Sequence, residues 1–399
     1  MVGPMASTTT VPTPPSTTAA QSGPPPSPPP GARLLALDGL RFGAAAAVLL
    51  YHFTATSTVA EYWGASGARE FPLLNPVSRY GWLGVELFFV LSGFVILLSA
   101  HGRTVAQFTG SRVGRLFPAY WACIGATALL QALWSGGRAP TLAQTLVNLT
   151  MVQDLFDVRS VQVVFWTLLV ELKFYLLVGL LLAFGELTRV KVVALALAWP
   201  LAGLAVQEAG WREAANLLAA NYAPYFGVGM MLFLLRRDGL RDRLAWGGLL
   251  VTLALCAYRV LDAADAASRL QGVPVSRSVS LAVMLACVAA VWVSSSPAIV
   301  VRRPWLVATL ATGGALTYPL YLVHSQFGYA VIDRLTADGV GPRVTLAVAV
   351  AACVLLAVAI HRGVERPTST RLRRAVTQAL TPGTARVRVP ARALAERAG

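Results

Sequence analysis

The sequence predicts an all-α, polytopic integral membrane protein with about ten transmembrane helices and both termini in the cytoplasm. Three observations predict it. The 399 residues are 56% hydrophobic and only 13% charged, where a soluble domain carries about 25% charged residues. Apolar runs of about 20 residues recur along the chain, long enough to cross a bilayer. Most Lys and Arg residues sit in the connections between those runs or in the tails, as membrane topology uses them.

Residues 1–32 are rich in Pro, Ser and Thr and nearly polyproline from Pro24 to Pro30. Such a segment cannot bury a core and is expected to be a disordered tail. It lacks the basic start and apolar stretch of a secretory signal, so no cleavage is expected. The apolar segments then fall near 34–56, 82–100, 116–134, 163–184, 190–206, 217–235, 245–260, 277–293, 305–327 and 343–361. Trp199-Pro200 predicts a short, kinked fifth segment. Gly313-Gly314 and Tyr318-Pro319 predict a break in the ninth, of the kind that accompanies function at membrane depth. The transmembrane domain is bounded at 33–366, and residues 367–399 are expected to form a basic, disordered tail.

The net charge of +15 does not indicate nucleic acid, because nine of the 33 Lys and Arg residues lie beyond position 360 and most others in short connections. The N-terminal tail, the even-numbered connections and the C-terminal tail hold 21 of them, and the odd-numbered connections hold ten. That bias predicts cytoplasmic termini in a multi-pass protein of the cell membrane. Cys123, Cys256, Cys287 and Cys353 lie inside apolar segments without CxxC spacing and read as small helix residues.

Ionisable groups at membrane depth are costly, so each one marks a candidate site. Arg41 and His52 are eleven positions apart on the first helix, which returns them to nearly the same face about 16 Å apart along the axis. Asp38 lies three residues before Arg41 and shares that surface. A neutral imidazole suits proton abstraction from a hydroxyl, and a guanidinium suits an anionic ligand. On the second helix Glu86 is an acid near the membrane boundary, and Ser92-Gly93 is a small pair that admits a neighbouring helix or a ligand. Arg112 and Arg115, three residues apart, form a candidate phosphate clamp. The fourth helix carries Glu171 with Tyr175 at i+4, and the ninth carries Tyr321 with His324 at i+3. No Walker loop, Rossmann glycine pattern or metal-binding histidine pattern is present. An intramembrane Arg, Glu and His set is also compatible with a proton-coupled transport path.

Five motifs occur in a telling order: Arg41 followed by ten residues and His52; Phe88-Phe89-x-x-Ser92-Gly93-Phe94; Arg112-x-x-Arg115-x-x-Pro118; Trp166-x-x-x-x-Glu171-x-x-Phe174-Tyr175; and Tyr321-x-x-His324. Over roughly 33–366 this set resembles the membrane acyltransferase-3 family. The resemblance implies about ten transmembrane helices and O-acyl transfer from acyl-CoA to a hydroxyl of a carbohydrate or a glycosylated small molecule, with no permanently bound cofactor and no metal. It implies His52 as catalytic base, with Glu171 at the family's acidic position, and Arg41, Arg112 and Arg115 as donor-binding residues. Asp38, Glu86, Ser92, Tyr175, Tyr321 and His324 would support substrate around them. The chain departs from the family at Thr167, where Ser is common, at Lys173, and at Glu86, where Asp is common. A flippase of acylated glycans, or a relay of the acyl group across the membrane, is the alternative.

Overall fold

The computed structural model describes residues 35–134, 136–137 and 139–381. The predicted tail over 1–32 lies outside them. Among the described residues there is no β-strand, and nine helices are long and apolar enough to cross a membrane.

The ten helices that match the predicted segments are α1 (Leu35–Thr54), α2 (Leu83–Ala100), α3 (Val105–Leu133), α4 (Trp166–Ala183), α5 (Arg189–Glu208), α6 (Ala223–Asp238), α7 (Arg243–Gln271), α8 (Arg277–Ser294), α9 (Pro304–Ala337) and α10 (Pro342–Ile360). An eleventh, α11, spans Arg366–Leu380. Nine of the ten meet the length for a membrane span, and α6 does not. Its 16 residues rise only about 24 Å. Every residue from Ala223 to Leu235 is buried, because α2, α5 and α7 pack around it. Glycines make the α2–α6 approach possible. A Cβ on Gly229 would lie 2.8 Å from the Cα of Gly93 and would run into the Val90 carbonyl. Without a hydrophobic effect between helices in lipid, such close backbone contact is a main source of cohesion.

The third segment begins eleven residues earlier than predicted. Thr104 caps it, accepting from the Gln107 amide at 3.3 Å while the Gln107 side chain accepts from the Thr104 amide at 3.1 Å. Arg112 and Arg115 therefore lie inside α3, not before it. Helix α9 also departs from expectation, running continuously through Pro319, and α5 spans 20 residues through Pro200, longer than the short segment expected. The ninth segment is unbroken over 34 residues, and its glycines serve packing. A Cβ on Gly314 would meet that of Asp38 at 2.6 Å, and one on Gly313 would touch the Phe42 ring at 3.0 Å. Those small residues let α9 lie against α1.

The basic tail is the other correction. Residues 366–380 are ordered helix, joined to α10 by a π-helical turn over His361–Glu365. His361 Nδ1 lies 2.8 Å from Glu365 Oε2 across that turn. Pro367 sits in the first turn of α11, where proline is tolerated, and no glycine interrupts the run. Helix α11 packs on α3, where a Cβ on Gly110 would lie 2.8 Å from the Arg373 carbonyl and one on Gly114 would lie 2.7 Å from that of Ser369. Residues after 381 lie outside those described.

Candidate active site

Five helices bring polar side chains to a narrow inner cavity of about 60 Å³. Arg41 comes from α1, Ser92 from α2, Arg115 from α3, Glu171 and Tyr175 from α4, and Tyr318 and Tyr321 from α9. Glu171 organises it. Its Oε1 accepts from the Ser92 hydroxyl at 2.8 Å and from the Tyr175 hydroxyl at 2.6 Å. The i,i+4 spacing of Glu171 and Tyr175 on one helix makes the second bond local. Two hydroxyl donors at one oxygen hold the carboxyl group in place in a cavity that Arg41 and Arg115 also line.

The Arg112 guanidinium lies over the rings of Tyr175 and Phe108, 5.8 and 5.9 Å from their centroids, and donates to Ser111 Oγ at 3.0 Å. The Nε atoms of Arg41 and Arg112 are buried without a hydrogen-bond partner. A buried N–H of that kind costs about 1–3 kcal/mol when unsatisfied, so both arginines carry unused donor capacity beside the cavity.

His52 and His324 meet on the far side of Tyr321. His52 Nδ1 lies 2.9 Å from the Val48 carbonyl, and His324 Nδ1 lies 2.8 Å from the Tyr321 carbonyl. A carbonyl oxygen can only accept, so each Nδ1 carries the proton of its neutral ring. His324 Nε2 is then an acceptor, and it lies 3.2 Å from His52 Nδ1. The His52 Nδ1–H is thus shared between Val48 and His324, and the lone pair of His52 falls on Nε2. Two main-chain carbonyls fix which nitrogen can take a proton.

His52 lines a second, outer cavity of about 440 Å³. Trp82 just before α2, Glu86 on α2, Trp166 on α4, Tyr222 and Asn221 just before α6, and Arg259 on α7 are among its walls. Glu86 Oε2 and Trp82 Nε1 are buried without partners. Both cavities are lined by Val85 and Tyr321. Tyr321 donates to Thr167 Oγ1 at 2.9 Å, since the Thr167 hydroxyl is itself spent on the Val164 carbonyl at 2.8 Å.

The structure therefore gathers Arg41, Ser92, Arg115, Glu171, Tyr175 and Tyr321 into one cavity, with Arg112 adjoining it. It places His52 and Glu86 in the other, and His324 behind His52. Asp38 is not among the residues lining either cavity and sits at the α1–α9 contact. Lys173 points away, donating to the Asn216 carbonyl at 2.6 Å. Sequence reasoning missed Asn221, Tyr222 and Arg259. Arg259 stands in the apolar run Cys256-Ala-Tyr-Arg-Val-Leu of the seventh segment, where an ionisable residue is itself a signal in the sequence.

The profile of a family described as an acyltransferase domain matches residues 34–362. The chain belongs to the acyltransferase-3 family. The match spans α1 to α10 and both cavities, so this membrane acyltransferase uses nearly its whole described chain as one domain. The chain is similar to the "Exopolysaccharide production protein ExoZ" of Rhizobium meliloti (strain 1021), with 28% identity over 320 residues, covering 76% of this chain and 94% of the relative. No solved structure matches it significantly.

Proposed function

We propose that this acyltransferase moves an acyl group from acyl-CoA, delivered into the inner cavity, to a hydroxyl of a carbohydrate or glycosylated acceptor held in the outer cavity. The observation that carries this reading is that Tyr321 and Val85 line both cavities, with the lone pair of His52 Nε2 on the acceptor side. The relative named for exopolysaccharide production supports a polysaccharide acceptor. The positive bias of the connections puts the inner cavity and α11 at the cytoplasmic side of the cell membrane.

In this mechanism His52 Nε2 takes the proton of the acceptor hydroxyl as its oxygen attacks the thioester carbonyl. The carbon–sulfur bond breaks, and the thiolate leaves with the proton that His52 returns. His52 Nδ1–H gives His324 Nε2 a stronger hydrogen bond once the first ring is cationic. His324 is thus a positioning residue. Arg41 and Arg115 hold the donor end that enters the inner cavity, and Glu171 keeps Ser92 and Tyr175 in register there. The aromatic walls formed by Trp82, Trp166 and Tyr222 suit the apolar faces of a sugar ring, while Glu86 accepts from a ring hydroxyl.

Purified protein in detergent, given an acyl-CoA and a neutral oligosaccharide, is expected to release coenzyme A in step with acylated sugar. Coenzyme A release without acylated sugar, or vesicle transport of an acylated glycan without any transfer, contradicts the reading. His324→Ala is expected to lower kcat by about 10- to 150-fold with donor KM unchanged. That is the loss of one hydrogen bond to a charged group, ~1.5–3 kcal/mol. For Glu86→Gln the expected change is a raised acceptor KM, read by steady-state kinetics, with unchanged hydrolysis of the donor in the absence of acceptor.

A further inference from the structure

The inner cavity of about 60 Å³ has room for a few waters, not for an adenine nucleotide and its phosphates. If acyl-CoA is the donor, its nucleotide end must rest elsewhere at the same end of the protein. A groove of about 480 Å³ lies between α3 and α11, and Arg103, Arg373 and Arg374 line it together with Gln107 and Ser111. Among the described residues no acidic side chain lines it, and none of the three arginines forms an ion pair. The whole of α11 has four arginines and no Asp or Glu.

The groove and the inner cavity lie along one face of α3. Gln107, Ser111 and Arg115 follow one another at i,i+4 along α3, so they form one stripe rising about 12 Å from the groove to the cavity wall. Ser111, in the groove, accepts from Arg112, and Arg112 lies over Tyr175, in the cavity. A ligand with an anionic head in the groove and a thin polar arm along this stripe would end beside Arg41 and Glu171. That shape is a coenzyme A thioester.

We propose that the α3–α11 groove is the nucleotide subsite of the donor, with Arg103, Arg373 and Arg374 holding its phosphate groups. Guanidinium groups bind phosphate oxygens in pairs, and three of them offset most of the charge of a 3′-phosphate and a diphosphate. This rests on the acyl-CoA reading above. It gives α11 a role that a solvated or lipid-facing tail would not have.

The test compares wild type with the double variant Arg373→Gln, Arg374→Gln, both in detergent. Both side chains are exposed, so the fold is expected to survive, and size-exclusion chromatography checks it. Binding of adenosine 3′,5′-bisphosphate is measured directly, and kinetics are measured with acyl-CoA and with the acyl-pantetheine thioester that lacks the nucleotide. The double variant is expected to bind the bisphosphate at least ~10-fold more weakly. Its KM for acyl-CoA is expected to rise by a similar factor, with the KM for acyl-pantetheine unchanged. Equal losses with both donors would make the groove structural and overturn the proposal. An unchanged acyl-CoA KM with a lost response to anionic lipid vesicles would show that the groove reads lipid headgroups, and would overturn it too. Wild type that binds the bisphosphate through these arginines yet transfers from no thioester would leave the subsite standing and sink the acyl-transfer reading instead.

Discussion

His52→Ala lowers kcat by about 10²–10⁴-fold, the usual contribution of a general base, while the protein still folds and binds donor. His52 contributes little to cohesion, since its ring is hydrogen-bonded only to one main-chain carbonyl and one neighbouring imidazole and packs beside Tyr51 of its own helix. Its Nε2 has no replacement, because the second histidine spends Nδ1 on the Tyr321 carbonyl and turns Nε2 toward His52. Stopped acyl transfer with retained binding of a coenzyme A analogue is the expected pattern. Activity within about threefold of wild type would mean that another group takes the proton.

Gly229→Leu is expected to abolish the folded protein rather than its chemistry. A side chain there would enter the α2–α6 contact, where the Cα of Gly93 and the Val90 carbonyl leave no space. Neither obstacle is a flexible side chain, so α2 and α6 must separate. Overpacking costs typically 1–3 kcal/mol and more where backbone cannot yield, and α6 is the helix around which α2, α5 and α7 assemble. Loss of the monodisperse peak in detergent, beside an unaffected Gly125→Leu control, is the expected result. Nothing lies within 4 Å of a Cβ added at Gly125, so the pair separates packing from helix propensity.

The membrane class and nearly all the helices are legible in the sequence because hydropathy over about 20 residues is a strong local signal. Helix α6 shows the limit of that signal. Its apolar run reads as a span, yet at 16 residues it is too short to meet that criterion and lies buried among neighbours. The break expected in α9 is absent for a related reason. Pro200 and Pro319 cost local hydrogen bonds that neighbouring helices can make good, and the glycines of α9 are spent on Phe42 and Asp38 of α1. Arginine-rich composition likewise hid α11, whose order comes from the α3 surface it packs on.

Much of the candidate site was legible because costly groups stand out in an apolar chain. Arg41, His52, Glu171 and His324 were visible as such. Their division between two cavities was not, since it depends on where Tyr321 and Val85 of distant helices meet. Arg41 and His52 do share α1, about 16 Å apart, but they open into different spaces. Tyr222 joins the outer cavity only through the tertiary arrangement that brings the start of α6 to it, for which no local pattern exists.

The central claim is that donor and acceptor reach the reaction from opposite ends of the protein. Sealed vesicles with the protein in one orientation test it directly, using acyl-CoA and an oligosaccharide that do not cross the bilayer. Acylated oligosaccharide is expected only when acyl-CoA is on the face that bears α11 and the sugar is on the other. Equal product with both on the face bearing α11 would contradict it.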